Sequence, residues 1–202
     1  MSEIALFHSV LGVRPGVQEA ARRLRAAGHR VRVVDQYEGR VFADYAVAGE
    51  YAEGLGYPLL MQRAQEAVAD LPDGFLAAGF SNGAGMAEFV AFRRRLSGVL
   101  MLSGALPLEM LGADAWPPGT PAQIHYTRED PFRRQEGIDT LAATIRAAGA
   151  SLQMFDYPGS GHLFTDPSLP EEYDADAAEL LWRRVLDFCA NPPTIATAPS
   201  RG

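Results

Sequence analysis

The stretch Gly74-Phe75-Leu76-Ala77-Ala78-Gly79-Phe80-Ser81-Asn82-Gly83-Ala84-Gly85 decides how this chain reads. A short apolar run stops at Gly79-Phe80-Ser81-Asn82-Gly83, and a helix-like segment follows from Met86 to Arg95. Strand, tight turn and helix form the setting in which a Gly-x-Ser-x-Gly serine sits on strained backbone with its hydroxyl held above a sheet edge. Glycines two residues before and two after Ser81 let neighbouring backbone pass where a Cβ would not fit. The helix that starts there turns its free N–H groups, and the positive end of its dipole, towards the turn. The same turn has a plainer reading, a βα connection with serine as helix N-cap. The rest of the chain has to separate the two.

On either side of this stretch the chain alternates between short apolar runs and helical periodicity. Ile4 to His8 reads as a first strand. Val17, Ala20, Ala21 and Leu24 recur at helical spacing behind Pro15, and Gly28 supplies the stop. Val31 to Val34 is a second strand. Residues 36–57, with Tyr37, Phe42, Tyr45, Tyr51 and Tyr57 among alanines and glycines, read as a loop with short helical turns. It either walls a pocket or packs its aromatics on the core. Leu59 to Leu71 is a helix, and the strand leading to Ser81 comes next. Gly98 to Ser103, Ala122 to Tyr126 and Leu152 to Phe155 are further strands. A proline-rich loop at 104–119 and a helix from Gln135 to Ala148 lie between them, and Asp174 N-caps a last amphipathic helix to about Ala190. About six strands alternating with helices predict an α/β fold. The sheet is mostly parallel and covered by helices on both faces, in one domain over residues 1–190. Residues 191–202, rich in Pro, Thr, Ser and Ala, read as a disordered tail.

Composition removes several functions. The net charge of −7 opposes nucleic-acid binding, which needs basic patches for the phosphates. All 18 basic residues are arginine, so a Lys Schiff base, a phosphate-binding P-loop lysine and a Ser–Lys dyad are excluded. The single cysteine, Cys189, allows neither an internal disulfide nor a cysteine-rich metal site, and reads as a small buried residue. No signal-peptide pattern or membrane span is read, and a cytoplasmic location is expected.

In an open α/β sheet, functional groups gather at the carboxyl ends of strands. Ser81 follows the third strand, Asp130 the fifth and His162 the sixth. An activated serine needs a base within reach and a third group to orient that base. The chain order Ser, Asp, His is that of α/β-hydrolases. His162 would take the Ser81 proton and Asp130 would fix the tautomer of His162. The Asn82 backbone N–H, with one from the loop after the first strand at Val10, would hold an oxyanion. No metal or organic cofactor is required. Each residue also has a bland reading. Asp130-Pro131 is a common turn element, Glu129, Asp35 and Asp156 are alternative acids, and His162 could be a plain loop residue. His8 is expected to support or pack; His29, in a turn, and His125, within a strand, are poorly placed for a base. A non-catalytic ligand or nucleotide binder on a similar sheet, and an acyltransferase using the same three residues, are the competing functions.

With these residues in place, the chain resembles the dienelactone hydrolase family of α/β-hydrolases from Ile4 to about Ala190. The resemblance rests on Val10-Leu11-Gly12-Val13, Asp35-Gln36-Tyr37-Glu38-Gly39, Gly79 to Gly85, the Asp130 turn and Gly161-His162-Leu163-Phe164. It implies a compact hydrolase without a lid domain that cleaves small esters, lactones or thioesters through Ser81, Asp130 and His162. No nucleic-acid or membrane partner is implied, and the oligomeric state stays open. Family members that open dienelactone use cysteine where Ser81 stands and glutamate where Ser9 stands. They carry an arginine shortly after the histidine, where this chain has Leu163-Phe164-Thr165-Asp166. An acid there is expected to repel a carboxylate-bearing substrate, which points to a serine carboxylesterase.

Overall fold

The computed structural model describes residues 1–193; the tail predicted for 191–202 lies outside the described residues from 194 onward. Its frame is a six-stranded sheet in the order β2-β1-β3-β4-β5-β6. The strands are β1 (Glu3–Phe7), β2 (Arg30–Val34), β3 (Phe75–Phe80), β4 (Leu96–Leu102), β5 (Ala122–Thr127) and β6 (Leu152–Tyr157). All neighbouring pairs are parallel. The helices are α1 (Pro15–Ala26), α2 (Tyr45–Leu55), α3 (Tyr57–Ala67), α4 (Asn82–Ala91), α5 (Gln135–Ala147) and α6 (Ala175–Ala190), with a 3-10 turn at Leu108–Leu111.

The strand period of two sorts the core onto two faces. Ile4, Leu6, Leu76, Ala78, Leu100 and Leu102 pack with α1 and α6. Ala5, Phe7, Phe75, Ala77, Val99 and Met101 pack with α3, α4 and α5. Both faces are therefore covered, as a parallel sheet requires. This is why the central strands read as unbroken apolar runs rather than as alternating ones.

The order in which successive strands are added reverses at β1: β2 lies on one side of it and β3 on the other. The crevice at such a reversal opens at the carboxyl ends of the strands. Ser81, at the end of β3, and the loop after β1 both border it. Two glycines make the approach possible. A Cβ on Gly79 would collide with the Gly83 carbonyl, and one on Gly83 would collide with the His8 carbonyl and lie 2.7 Å from that of Phe7. The first turn of α4 thus rests directly on the end of β1.

One expectation is corrected. Residues 36–57 are not a loop with short turns, because they contain the whole of α2. Asp44 caps it by accepting the Val47 N–H at 2.9 Å, and Gly56 ends it at φ 81°. Only Ala48 and Ala52 of α2 are buried, so its apolar stripe is too narrow to show as helical periodicity. The elbow helix also begins earlier than the sequence suggested, at Asn82, because glycines at 83 and 85 mask its first turn. The cap assigned to Asp174 is present, accepting the Ala177 N–H at 2.9 Å. No helix among the described residues is long and apolar enough to cross a membrane.

Gly83→Ala should destabilise the fold by about 1–3 kcal/mol, the usual cost of overpacking, even though alanine favours a helix. A lower urea midpoint is expected; an unchanged or higher midpoint would show that α4 does not bear on β1.

Candidate active site

Ser81 has φ 53° and ψ −120°, a region that side-chain-bearing residues rarely occupy. That backbone aims the hydroxyl out of the turn rather than into a helix cap, and Ser81 makes no side-chain cap bond. The Oγ lies 2.8 Å from His162 Nε2. The other ring nitrogen, Nδ1, lies 2.8 Å from Asp130 Oδ2. A carboxylate can only accept, so Nδ1 donates its proton to Asp130 and Nε2 accepts from the Ser81 hydroxyl. The three strand ends thus bring together the three side chains read from sequence. Asp130 and His162 are both buried. The Asp-Pro turn is real as well: Asp130 Oδ1 accepts the Phe132 N–H at 2.8 Å, which locks the carboxylate in place.

The alternative acids and bases are exposed or engaged elsewhere. Glu129 is exposed. Asp35 accepts the N–H groups of Tyr37 at 2.9 Å and Gly39 at 2.6 Å. Asp156 pairs with Arg133 at 2.6 Å. His8 donates from Nδ1 to the Ser9 carbonyl at 2.6 Å and accepts the Gln36 N–H at 3.1 Å, which is the supporting role expected of it. Burial holds its pKa below the ordinary histidine value. His125 is bonded at both nitrogens, to Tyr157 and Gln123, and burial pushes its pKa down to about 3. Burial also pushes the Cys189 thiol up to about 12, in keeping with an inert packing residue.

Several residues around His162 gave no signal in the sequence. Glu172 accepts the Leu163 N–H at 2.6 Å and the Tyr45 hydroxyl at 2.9 Å. Thr127 Oγ1 donates to the Gly161 carbonyl at 2.9 Å. The rings of Phe132 and Tyr45 lie 4.6 and 5.9 Å from the imidazole. The histidine loop is therefore fixed from both sides. Desolvation and the adjoining Glu172 carboxylate raise the Tyr45 pKa, so the hydroxyl keeps the proton it donates. These partners are separated by most of the chain, and no local pattern announces them.

A cavity of about 530 Å³ opens beside Ser81 and His162. Its wall is mostly apolar, with Met61, Leu106, Met110, Leu111 and Phe132; Arg134 borders it, and no acid among the described residues does. The size is typical of a small-molecule site. A larger groove, about 620 Å³, lies against α1 and α6 and touches none of the three residues, so chemistry and not volume identifies the site. Of the segment 36–57, only Tyr57, now the first residue of α3, lines the cavity. Asp166 corrects a second expectation. Its carboxylate turns away from the cavity towards Arg14, 3.5 Å off, and accepts from Ser168 at 2.9 and 2.6 Å. Buried there, it does not confront a substrate.

Asn82 opens α4 and borders the cavity, whereas Val10 does not. Contact of α4 with the carbonyls of Phe7 and His8 sets the Val10 loop next to the elbow. The Ser9 side chain accepts the Leu11 N–H at 3.2 Å and its carbonyl accepts the Gly12 N–H at 3.1 Å, which fixes that loop. Neither the Val10 N–H nor the Asn82 N–H donates to another described residue. The Tyr37 hydroxyl lies beside the Asn82 side chain, and burial pushes its pKa up to about 12. Neither Tyr37 Oη nor Asn82 Oδ1 reaches hydrogen-bonding geometry with a described residue.

The sheet and the serine turn at its reversal point are those of an α/β-hydrolase. The chain belongs to the dienelactone hydrolase family, whose sequence model matches residues 2–191. Among curated proteins, a candidate carboxymethylenebutenolidase of Salmonella typhi is 32% identical over 65 residues, 32% of this chain and 24% of that protein. The match thus spans about a quarter of that relative. Among solved structures, a dienelactone hydrolase-like promiscuous phosphotriesterase from metagenomic libraries superposes with a TM-score of 0.80 at 21% identity. It covers 94% of this chain and 86% of that one. A candidate dienelactone hydrolase of Klebsiella pneumoniae subsp. pneumoniae MGH 78578 gives 0.73 at 18% identity, covering 95% and 87%. These likenesses carry the fold.

Nitrogen-15 NMR of the imidazole groups should find neutral His162 protonated on Nδ1, with a bare Nε2. The opposite tautomer would break the ordering of the three side chains.

Proposed function

We propose that the chain is a serine hydrolase that cleaves small ester, lactone or thioester bonds by way of an acyl-enzyme. The observation that carries this reading is the unbroken hydrogen-bonded line from Ser81 through His162 to Asp130, at 2.8 Å in each link. Membership of the dienelactone hydrolase family supports it.

In the first half-reaction Nε2 of His162 takes the Ser81 proton while Oγ bonds to the acyl carbon. Asp130 stabilises the resulting imidazolium. The tetrahedral oxygen gains negative charge and is held by the N–H groups of Asn82 and Val10, close to the positive end of α4. His162 then gives its proton to the departing alcohol, thiol or ring oxygen. Water repeats the sequence on the acyl-serine and restores Ser81. Leu106, Met110 and Leu111 offer apolar surface for one side of the substrate, and apolar cavities of this kind orient ligands through a few polar groups.

Two variants test the roles. Ser81→Ala should lower kcat on an activated ester by about 10⁵–10⁶ and abolish labelling by a fluorophosphonate. Asp130→Asn should lower kcat by about 10⁴ and leave the fold intact. If the folded wild-type protein takes up no fluorophosphonate, it is a ligand binder instead. Products carrying the acyl group on an added alcohol, in preference to water, would make it an acyltransferase.

A further inference from the structure

Glu88 is the sole ionisable residue of α4, about two turns beyond Ser81, and it is completely buried. Its Oε1 accepts the Leu106 N–H at 3.0 Å. Its Oε2 is buried without a partner among the described residues. Such a group costs stability that an apolar side chain would not, and neither the packing of α4 nor the proposed chemistry uses it. Its one hydrogen bond goes to the cavity wall. Ser103, Gly104, Ala105, Leu106 and Pro107 all border the cavity. This segment leaves β4 through Ser103 at φ 54°. Ser103 N is tied to the His125 carbonyl at 2.8 Å, and the 3-10 turn starts at Leu108. Between those two points the wall is fastened from behind by Glu88. The Leu106 side chain lies over Gly85, where a Cβ would collide with it.

We propose that Glu88 is a positioning residue that clamps the Leu106 wall of the cavity and so sets which substrate groups fit beside Ser81. The proposal rests on the reading of that cavity as the substrate site.

The clamp needs no proton, because the Glu88 oxygen that takes the Leu106 N–H accepts in either protonation state. Burial pushes the Glu88 pKa up to about 8, so its carbonyl oxygen accepts from Leu106 while the acid keeps its proton. No cation among the described residues opposes this. Strands β3 and β4 carry no ionisable side chain. Glu3 of β1 pairs with Arg30, and Arg63 of α3 is held by Glu38 at 2.6 Å. Tyr57 and Glu66 of α3 and Glu109 of the 3-10 turn are exposed. Tyr126 of β5 faces Glu88, and burial keeps that phenol protonated as well. The folded pKa lies above the ordinary value of 4.5. Below that value the stability attached to this proton is fully present, and it is lost as pH rises through about 8.

Three proteins test the clamp: wild type, Glu88→Gln, which keeps an acceptor oxygen, and Glu88→Leu, which does not. The Leu106 amide should be protected from hydrogen exchange in wild type and Glu88→Gln and lose protection in Glu88→Leu. KM for an ester with a bulky apolar group should rise on the order of tenfold in Glu88→Leu, the scale of one lost buried hydrogen bond. Its kcat should change less, and both constants in Glu88→Gln should stay within about twofold of wild type. Wild type should lose thermal stability relative to Glu88→Gln between pH 4.5 and about 8. An unprotected Leu106 amide in wild type, or unchanged exchange and KM in Glu88→Leu, would overturn the proposal. If Glu88→Leu does not fold, a KM increase in Glu88→Gln would overturn it just as well. Amide exchange and unfolding need no working nucleophile, so their outcome stands apart from that of Ser81→Ala.

Discussion

The first turn of α4 lies on the last carbonyls of β1, with no Cβ between them. The remainder of the site follows from that approach. It forces the chain from β3 to turn within a few residues, which holds Ser81 at positive φ and lifts its hydroxyl clear of the sheet. It also brings the N-terminal N–H groups of α4 beside the loop that follows β1. In the proposed reaction, charge developing on a substrate oxygen there would meet donors already in place, and fixed donors of this kind do not reorganise during reaction.

The other two residues are supplied by separate strands, and each is locked by its own surroundings. Asp130 is held by the turn it forms with Phe132 N–H. His162 is held by Asp130, by the bracing of its loop at Thr127 and Glu172, and by the rings of Tyr45 and Phe132. Strain at Ser81 is thus offset by a rigid sheet beneath it. The cavity wall from Ser103 to Pro107 lies outside regular structure, and the Leu106 N–H within it donates to a carboxyl group buried on α4.

Much of this was legible in the sequence, for physical reasons. Strands buried on both faces must be continuous apolar runs, so all six could be placed to within a few residues. Polar residues at strand ends are few, so strand-end placement and chain order together pointed to Ser81, Asp130 and His162, with Glu129, Asp35 and Asp156 left as alternative acids. The helix α2 was not legible, because a helix that buries only two alanines has almost no amphipathic pattern. The pairings of Glu172 with Tyr45 and of Glu88 with Leu106 were not legible either, because the partners are distant in sequence and contacts of that kind leave no local trace. Asp166 misled for a related reason. Its position next to the histidine loop suggested a charge facing the substrate, but Arg14 draws it the other way.

The proposed chemistry requires that Ser81 carry the acyl group during turnover. The direct measurement is rapid acid quenching of the wild-type protein while it hydrolyses an activated ester, followed by peptide mass spectrometry. One acyl group, of the mass carried by that substrate, is expected on the peptide that contains Ser81. Turnover with no acylated peptide, or an acyl group on any other residue, would contradict that chemistry.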